Sequence, residues 1–90
     1  MSTDPTESRS TDTARVVVYS KPGCHLCEDA VALVGQVCAD LGVTWREVDI
    51  SGDAELMHVY GEQIPVTFVD GRQHDFWRVD PTRLRTALTA

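Results

Sequence analysis

Tyr19-Ser20-Lys21-Pro22-Gly23-Cys24-His25-Leu26-Cys27 decides how this chain is read. The apolar run Val16-Val17-Val18-Tyr19 stops at its start and reads as a buried strand. Ser20 to Gly23 reads as a turn, and from His25 onward the apolar spacing is helical. Two cysteines three residues apart therefore sit at a strand-to-helix junction, which is a redox signature. A helix N-terminus carries about half a positive charge and unpaired backbone N–H groups, and both stabilise a thiolate over a thiol. A cysteine placed there can fall from a pKa of about 8.5 into the range of about 3.5–7.5. Cys24 is then the expected nucleophile. Cys27, one turn on and on the same side, can close a disulfide back onto it.

Bulk properties narrow the setting. Ninety residues make one domain, able to bury roughly 60 % of its unfolded surface. A formal net charge of −6 with no basic run argues against nucleic acid or an anionic membrane as partner. The polar N-terminus lacks the apolar core of a signal peptide, and no apolar stretch approaches the roughly 20 residues of a membrane span. A cytoplasmic location is the default expectation, with thiols mostly reduced at rest. Three cysteines suit a cycling pair plus one spare rather than a disulfide framework.

Residues 1–14 are rich in Ser, Thr, Asp and Pro and read as a disordered tail, leaving residues 15–90 as the folded domain. Arg15 to Ser20 is the first strand, its continuous apolar run suiting cover on both faces. His25 to Leu41 is the main helix. Leu26, Ala30, Leu33, Val37 and Leu41 form one apolar stripe, and Cys27, Val31, Val34 and Cys38 a second beside it. Glu28 and Asp29 suit the dipole of the first turn but oppose a nearby thiolate. Gly42 is the expected stop.

Val43 to Ile50 is a second strand whose alternation slips phase, as an edge strand's can. Ser51 is expected to cap a short helix over Asp53 to Tyr60, ended by Gly61, with Leu56 and Val59 or Tyr60 inward. Val66 to Val69 and Arg72 to Val79 flank Asp70-Gly71, a strong hairpin turn. Asp80 then caps a last helix that starts at Pro81 and turns Leu84, Ala87 and Leu88 inward. The order β-α-β-α-β-β-α assembles most economically as an α/β fold. It has one mixed four-stranded sheet with helices on both faces, the first helix crossing over between parallel strands.

From about Val16 to Leu88 the chain resembles the glutaredoxin-like branch of the thioredoxin superfamily, and most of all its short bacterial members. Tyr19 to Cys27 is similar to the glutaredoxin active-site segment. Ile64-Pro65-Val66 falls where that fold keeps a cis-proline facing the two cysteines, and Phe68-Val69-Asp70-Gly71 resembles the hairpin that follows. The resemblance implies a thioredoxin-like fold and thiol–disulfide oxidoreductase activity on protein or small-molecule disulfides. It makes Cys24 the attacking thiolate, Cys27 the resolving thiol, and Pro65 cis. Lys21 and Ile64 become groups that contact the bound thiol compound or peptide. It also implies glutathione or another low-molecular-weight thiol as co-substrate, with no tightly bound cofactor and a monomeric chain. Two departures stand out. Glutaredoxins hold glutathione with a Gly-Gly-Asp-like stretch where this chain reads Arg72-Gln73-His74-Asp75-Phe76-Trp77. Thioredoxins carry a buried aspartate where this chain has Val18, and Gly-Pro where it has His25-Leu26.

His25 adjoins the nucleophile. If protonated it would favour the thiolate; otherwise it simply faces solvent. Cys38 lies eleven residues past Cys27, roughly 16 Å along a straight helix, beyond the about 7 Å a disulfide spans, so it is expected in the core. His58 and His74 have no spacing typical of a metal site, and none is expected. Two readings from other classes stay open: a module sharing an iron–sulfur cluster across a dimer, and a non-catalytic thioredoxin-fold adaptor.

Overall fold

The alternation along the first strand sets the layers. In the computed structural model, which describes residues 14–89, Val16, Val18 and Ser20 are buried and Val17 and Tyr19 half-buried. The expected tail over residues 1–14 lies, but for its last residue, outside the described part. The elements are β1 (Val16–Ser20), α1 (His25–Leu41), β2 (Trp45–Asp49), α2 (Ala54–Tyr60), β3 (Val66–Val69), β4 (Arg72–Phe76) and α3 (Pro81–Thr89). They form one four-stranded sheet in the order β2-β1-β3-β4. β1 and β2 run parallel, while β3 is antiparallel to both β1 and β4. The expected fold class holds, and β2 is the edge strand its slipping alternation suggested.

One face of the sheet packs Val16, Val18 and Val69 against Val34, Val37 and Cys38 of α1 and Leu84 and Leu88 of α3. On the other face Val66, Tyr19 and Phe68 meet Leu56, Met57 and Tyr60 of α2. The rings of Tyr19, Tyr60 and Phe68 lie with centroids 4.8–5.8 Å apart, within the range where aromatic pairs attract. The short α2 covers its face less fully than α1 and α3 cover theirs, so β1 is more deeply buried on one side than the other.

Local signals explain most boundaries. Gly42 ends α1 in the left-handed region at φ 68°, its N–H reaching Ala39 and Cys38 carbonyls. The Asp70-Gly71 turn has φ of 52° and 84°, the doubly positive geometry of a two-residue hairpin. The Asp80 carboxylate accepts from the Thr82 and Arg83 N–H groups at 2.9 and 3.2 Å, capping α3 as expected.

Several details differ from the sequence reading, among them β2, which spans Trp45–Asp49 rather than Val43 to Ile50. Asp53, not Ser51, caps α2: its carboxylate accepts the Leu56 N–H at 3.0 Å. Ser51 instead donates its N–H to Asp49, closing a turn that moves the cap two residues along the chain. Val59 is exposed and Met57 packs inward in its place. β4 stops at Phe76 rather than Val79, because Trp77 adopts φ 65° and leaves the pleat. Leu26, assigned to the buried stripe of α1, is exposed at the helix's first turn.

Candidate active site

The β1–α1 connection builds the site. Gly23 takes φ +76°, a conformation an L side chain adopts only at a cost of about 1–2 kcal/mol, and so redirects the chain into the helix. Cys24 follows in an extended conformation and is the N-cap of α1. Its carbonyl accepts the Glu28 N–H at 3.1 Å, and its sulfur accepts the Cys27 N–H at 3.1 Å. The Cys24 sulfur therefore occupies the place of a capping oxygen, where the unpaired amides and positive end of the dipole favour negative charge. Cys24 and Cys27 form a disulfide across a Cα–Cα distance of 5.1 Å. Cys24 is half-buried and Cys27 only 3 % exposed, so an approaching molecule reaches Cys24 first.

Ile64 and Pro65 are both buried. The Ile64–Pro65 bond is cis, and Ile64 shares an apolar cluster with Cys27, against which Cys24 also packs. Lys21 lines the same cleft as both cysteines. Of the six residues singled out by sequence, His25 alone does not converge. Its side chain is 95 % exposed and its Nδ1 faces Glu28 at 3.8 Å, so it follows the solvent-facing alternative. Cys38 is a free thiol buried in the other apolar cluster, as expected of a core cysteine. Burial pushes its pKa up, with the Arg15 charge acting weakly the other way.

Two concavities lie by the head of α1. A cleft of about 420 Å³ opens toward β2 and is lined by Ser20, Lys21, Cys24, Cys27, Glu28, Glu47 and Asp49, among others. A groove of about 360 Å³ opens toward the end of β4, between Leu26, Ile64, Phe76, Trp77 and Arg78. Sequence reasoning missed a key feature of each. In the cleft, the buried Ser20 hydroxyl donates to the Glu47 carboxylate at 2.5 Å. The one available signal was a serine closing an otherwise apolar buried run. In the groove, Trp77 is pinned by three hydrogen bonds. Its N–H reaches the Gln63 and Pro65 carbonyls, and its Nε1–H donates to the Glu62 carbonyl at 2.9 Å. Nothing in the local sequence announces that conformation. Among the described residues, no three His, Cys, Asp or Glu side chains are grouped to hold a metal ion, and no helix is long and apolar enough to cross a membrane.

This architecture has relatives. A structure of the X. campestris protein XcR50 superposes with a TM-score of 0.69 at 36 % identity, covering 82 % of this chain and 95 % of that one. The Nitrosomonas europaea protein Ne2328 superposes at 0.68 with 26 % identity, over 80 % of this chain and 87 % of its own. An uncharacterized protein of Mycobacterium tuberculosis is 29 % identical over 79 residues, 82 % of this chain and 81 % of that protein. At the level of fold alone, Fasciola hepatica thioredoxin superposes at 0.57 with 21 % identity, over 94 % of this chain and 88 % of its own. The family described as Glutaredoxin-like domain (DUF836) matches residues 15–89, that is, every element from β1 to α3. With its cysteine pair at the head of α1, this chain belongs to that glutaredoxin-like family.

Proposed function

We propose that the protein is a thiol–disulfide oxidoreductase that reduces disulfides through the Cys24–Cys27 dithiol. The observation that carries this reading is the Cys24 sulfur acting as N-cap of α1 and accepting the Cys27 amide, with Cys27 buried behind it. In the reduced protein the Cys24 thiolate attacks one sulfur of a substrate disulfide and expels the other as a thiolate. Cys27 then attacks Cys24, releases the second substrate sulfur and leaves the closed disulfide. Two electrons pass to the substrate, and a low-molecular-weight thiol, glutathione or another, or a reductase restores the dithiol. No bound cofactor enters this cycle, and one chain suffices for it.

Lys21, Ile64 and Pro65 are the remaining groups of the binding surface. The apolar groove of Leu26, Ile64, Phe76 and Trp77 favours a disulfide carried on a protein, because such a surface gains from covering apolar side chains near the reacting sulfur. A cytoplasmic setting, in which the pair rests reduced, suits a reductase.

The test is direct. Cys24→Ser should abolish disulfide reduction, while Cys27→Ser should accumulate a mixed disulfide with substrate, seen as an added mass that dithiothreitol removes. An unchanged rate in the Cys24→Ser protein would overturn the proposal. Assays with glutathione, other small thiols and thioredoxin reductase as electron donors would then identify the reductant.

A further inference from the structure

We propose that Glu47, held in place by Ser20, accepts the proton that Cys27 must lose before it can attack the mixed disulfide. This rests on the oxidoreductase reading and assigns the proton transfer within it.

Cys27 poses a chemical problem. The nucleophile of exchange is the thiolate, yet Cys27 is 3 % exposed, and burial disfavours the charged form of a thiol. The helix terminus serves Cys24, the N-cap, whose sulfur already receives the Cys27 amide. A base must therefore reach Cys27 by another route, and the cleft toward β2 supplies one.

Ser20 ends the row Val16, Val18, Ser20 that faces α1, and it is 2 % exposed. An apolar residue would continue the packing. Ser20 instead gives its hydroxyl to a Glu47 oxygen at 2.5 Å, the distance of an O–H···O⁻ bond. Glu47 reaches that position by register: β2 runs parallel to β1, with Glu47 beside Val18. Two residues earlier Trp45 lies against α1, where a Cβ on Gly35 would come within 3.1 Å of its ring. Glu47 thus lies on the α1 side of the sheet, in the cleft that Cys27 lines from the helix.

The other charged groups of this cleft are less suited. Glu28, on α1, has a side chain 71 % exposed that faces His25. Asp49, on β2, accepts the Ser51 N–H at 2.8 Å. Lys21, before α1, is a cation and takes up no proton. Glu47 alone combines a buried hydrogen-bond anchor with an exposed side chain from which a proton can pass to water.

The step balances. The Cys27 S–H bond breaks and its proton goes to the Glu47 carboxylate. The electron pair left on Cys27 forms the bond to the Cys24 sulfur. The bond from Cys24 to the substrate sulfur breaks, and that sulfur leaves with its electron pair and takes a proton from solvent. Glu47 releases its proton to water. The dithiol is oxidised by two electrons and the substrate disulfide reduced to two thiols. Glu47 is the proton acceptor and Ser20 a positioning residue.

The reduced protein mixed with excess dipyridyl disulfide, an uncharged probe, should release thiopyridone in two phases: attack by Cys24, then resolution by Cys27. In Glu47→Gln the second phase should slow about tenfold or more at neutral pH, while the first moves by less than about twofold. The deficit should shrink as pH rises through the thiol range and solvent hydroxide replaces the carboxylate. Ser20→Ala should slow the second phase less, and the double variant should be no slower than Glu47→Gln, as expected of residues acting through one another. Unchanged thermal unfolding of both variants separates chemistry from folding. A second phase in Glu47→Gln equal to the parent's at every pH would overturn the assignment while leaving the oxidoreductase reading intact. Absence of either phase in the parent itself would overturn both.

Discussion

Two unlike surfaces lie by the head of α1, one lined by both cysteines and the other by Leu26 between them in sequence. Toward β2, the cleft presents three carboxylates, Glu28, Glu47 and Asp49, and one cation, Lys21. Toward the end of β4, the groove presents Leu26, Ile64, Phe76 and Trp77, with Arg78 its one charged residue. The difference comes from how each edge of the sheet ends. β2 is a parallel edge strand whose Glu47 is drawn to Ser20, so that flank keeps polar groups in the cleft that Cys27 also lines. β4 is cut short where Trp77 turns to φ 65°, and two large aromatic side chains remain exposed there. A carboxylate can move a proton and discriminates little between apolar partners; an apolar groove does the reverse. Under the proposed function, proton transfer falls to the first flank and partner recognition to the second.

The strongest challenge to that division replaces Trp77. Glycine adopts φ 65° freely, so Trp77→Gly keeps the backbone bonds to Gln63 and Pro65 and relieves about 1 kcal/mol of strain. It loses the Nε1–H bond to Glu62, worth about 1 kcal/mol, and the edge contact with Phe76, worth about 0.5–1.5 kcal/mol. Stability should change by no more than about 1–2 kcal/mol. The rate with a protein disulfide should fall about tenfold, the loss of one central aromatic anchor, while the rate with dipyridyl disulfide should hold. Equal losses with both substrates would mean that the tryptophan supports the loop before Pro65 and does not recognise a partner.

A smaller effect is expected from charge on the other flank. Glu28 sits in the first turn of α1, and its carboxylate disfavours a second negative charge on Cys24. Its side chain is largely exposed, so screening limits the effect. Glu28→Gln should lower the pH midpoint for alkylation of Cys24 by about a few tenths of a pH unit, less in high salt. A midpoint that rises would show that Glu28 acts by ordering the helix start instead, since a first-turn carboxylate also stabilises the helix.

These two flanks differ as well in how far the sequence foretold them. The cysteine pair, the extent of α1 and the Asp70-Gly71 hairpin were legible because each rests on contacts between residues close in the chain. A turn, a cap and a helical stripe are written in consecutive letters. Glu47 was not legible, because its meeting with Ser20 depends on the parallel register of β1 and β2, two strands that α1 separates in the chain. Trp77 was not legible for a related reason. Its positive φ is imposed by carbonyls of residues 62, 63 and 65, far along the chain, against the ordinary preference of a bulky side chain. Even the cap of α2 shows the limit. Ser51 and Asp53 both suit the role, and the bond from Ser51 to Asp49 decides between them.

The opposite end of the sheet offers a control in which neither flank should respond. Arg15 grips Asp70 with two hydrogen bonds of 2.9 Å, joining the start of β1 to the β3–β4 hairpin. The bond to Arg15 is the main cause of a lowered Asp70 pKa, below its usual 3.8. A carboxyl whose pKa is lower in the folded state releases its proton more readily there, so folding gains from the ionised form. That gain is present above the unfolded pKa and is lost as pH falls through the folded one. Asn also tolerates positive φ, so Asp70→Asn preserves the turn while removing the charge and one of the two acceptors that Arg15 uses. The variant should melt lower than the parent near neutral pH, and the difference between the two should shrink as pH falls through the lowered pKa of Asp70 and its carboxylate protonates. Both thiopyridone phases should match the parent's, because the disulfide lies at the far end of β1. If Asp70→Asn slowed the Cys27 phase, the proton transfer would depend on the register of the whole sheet rather than on the carboxylate beside it, and the two flanks could not be treated as independent.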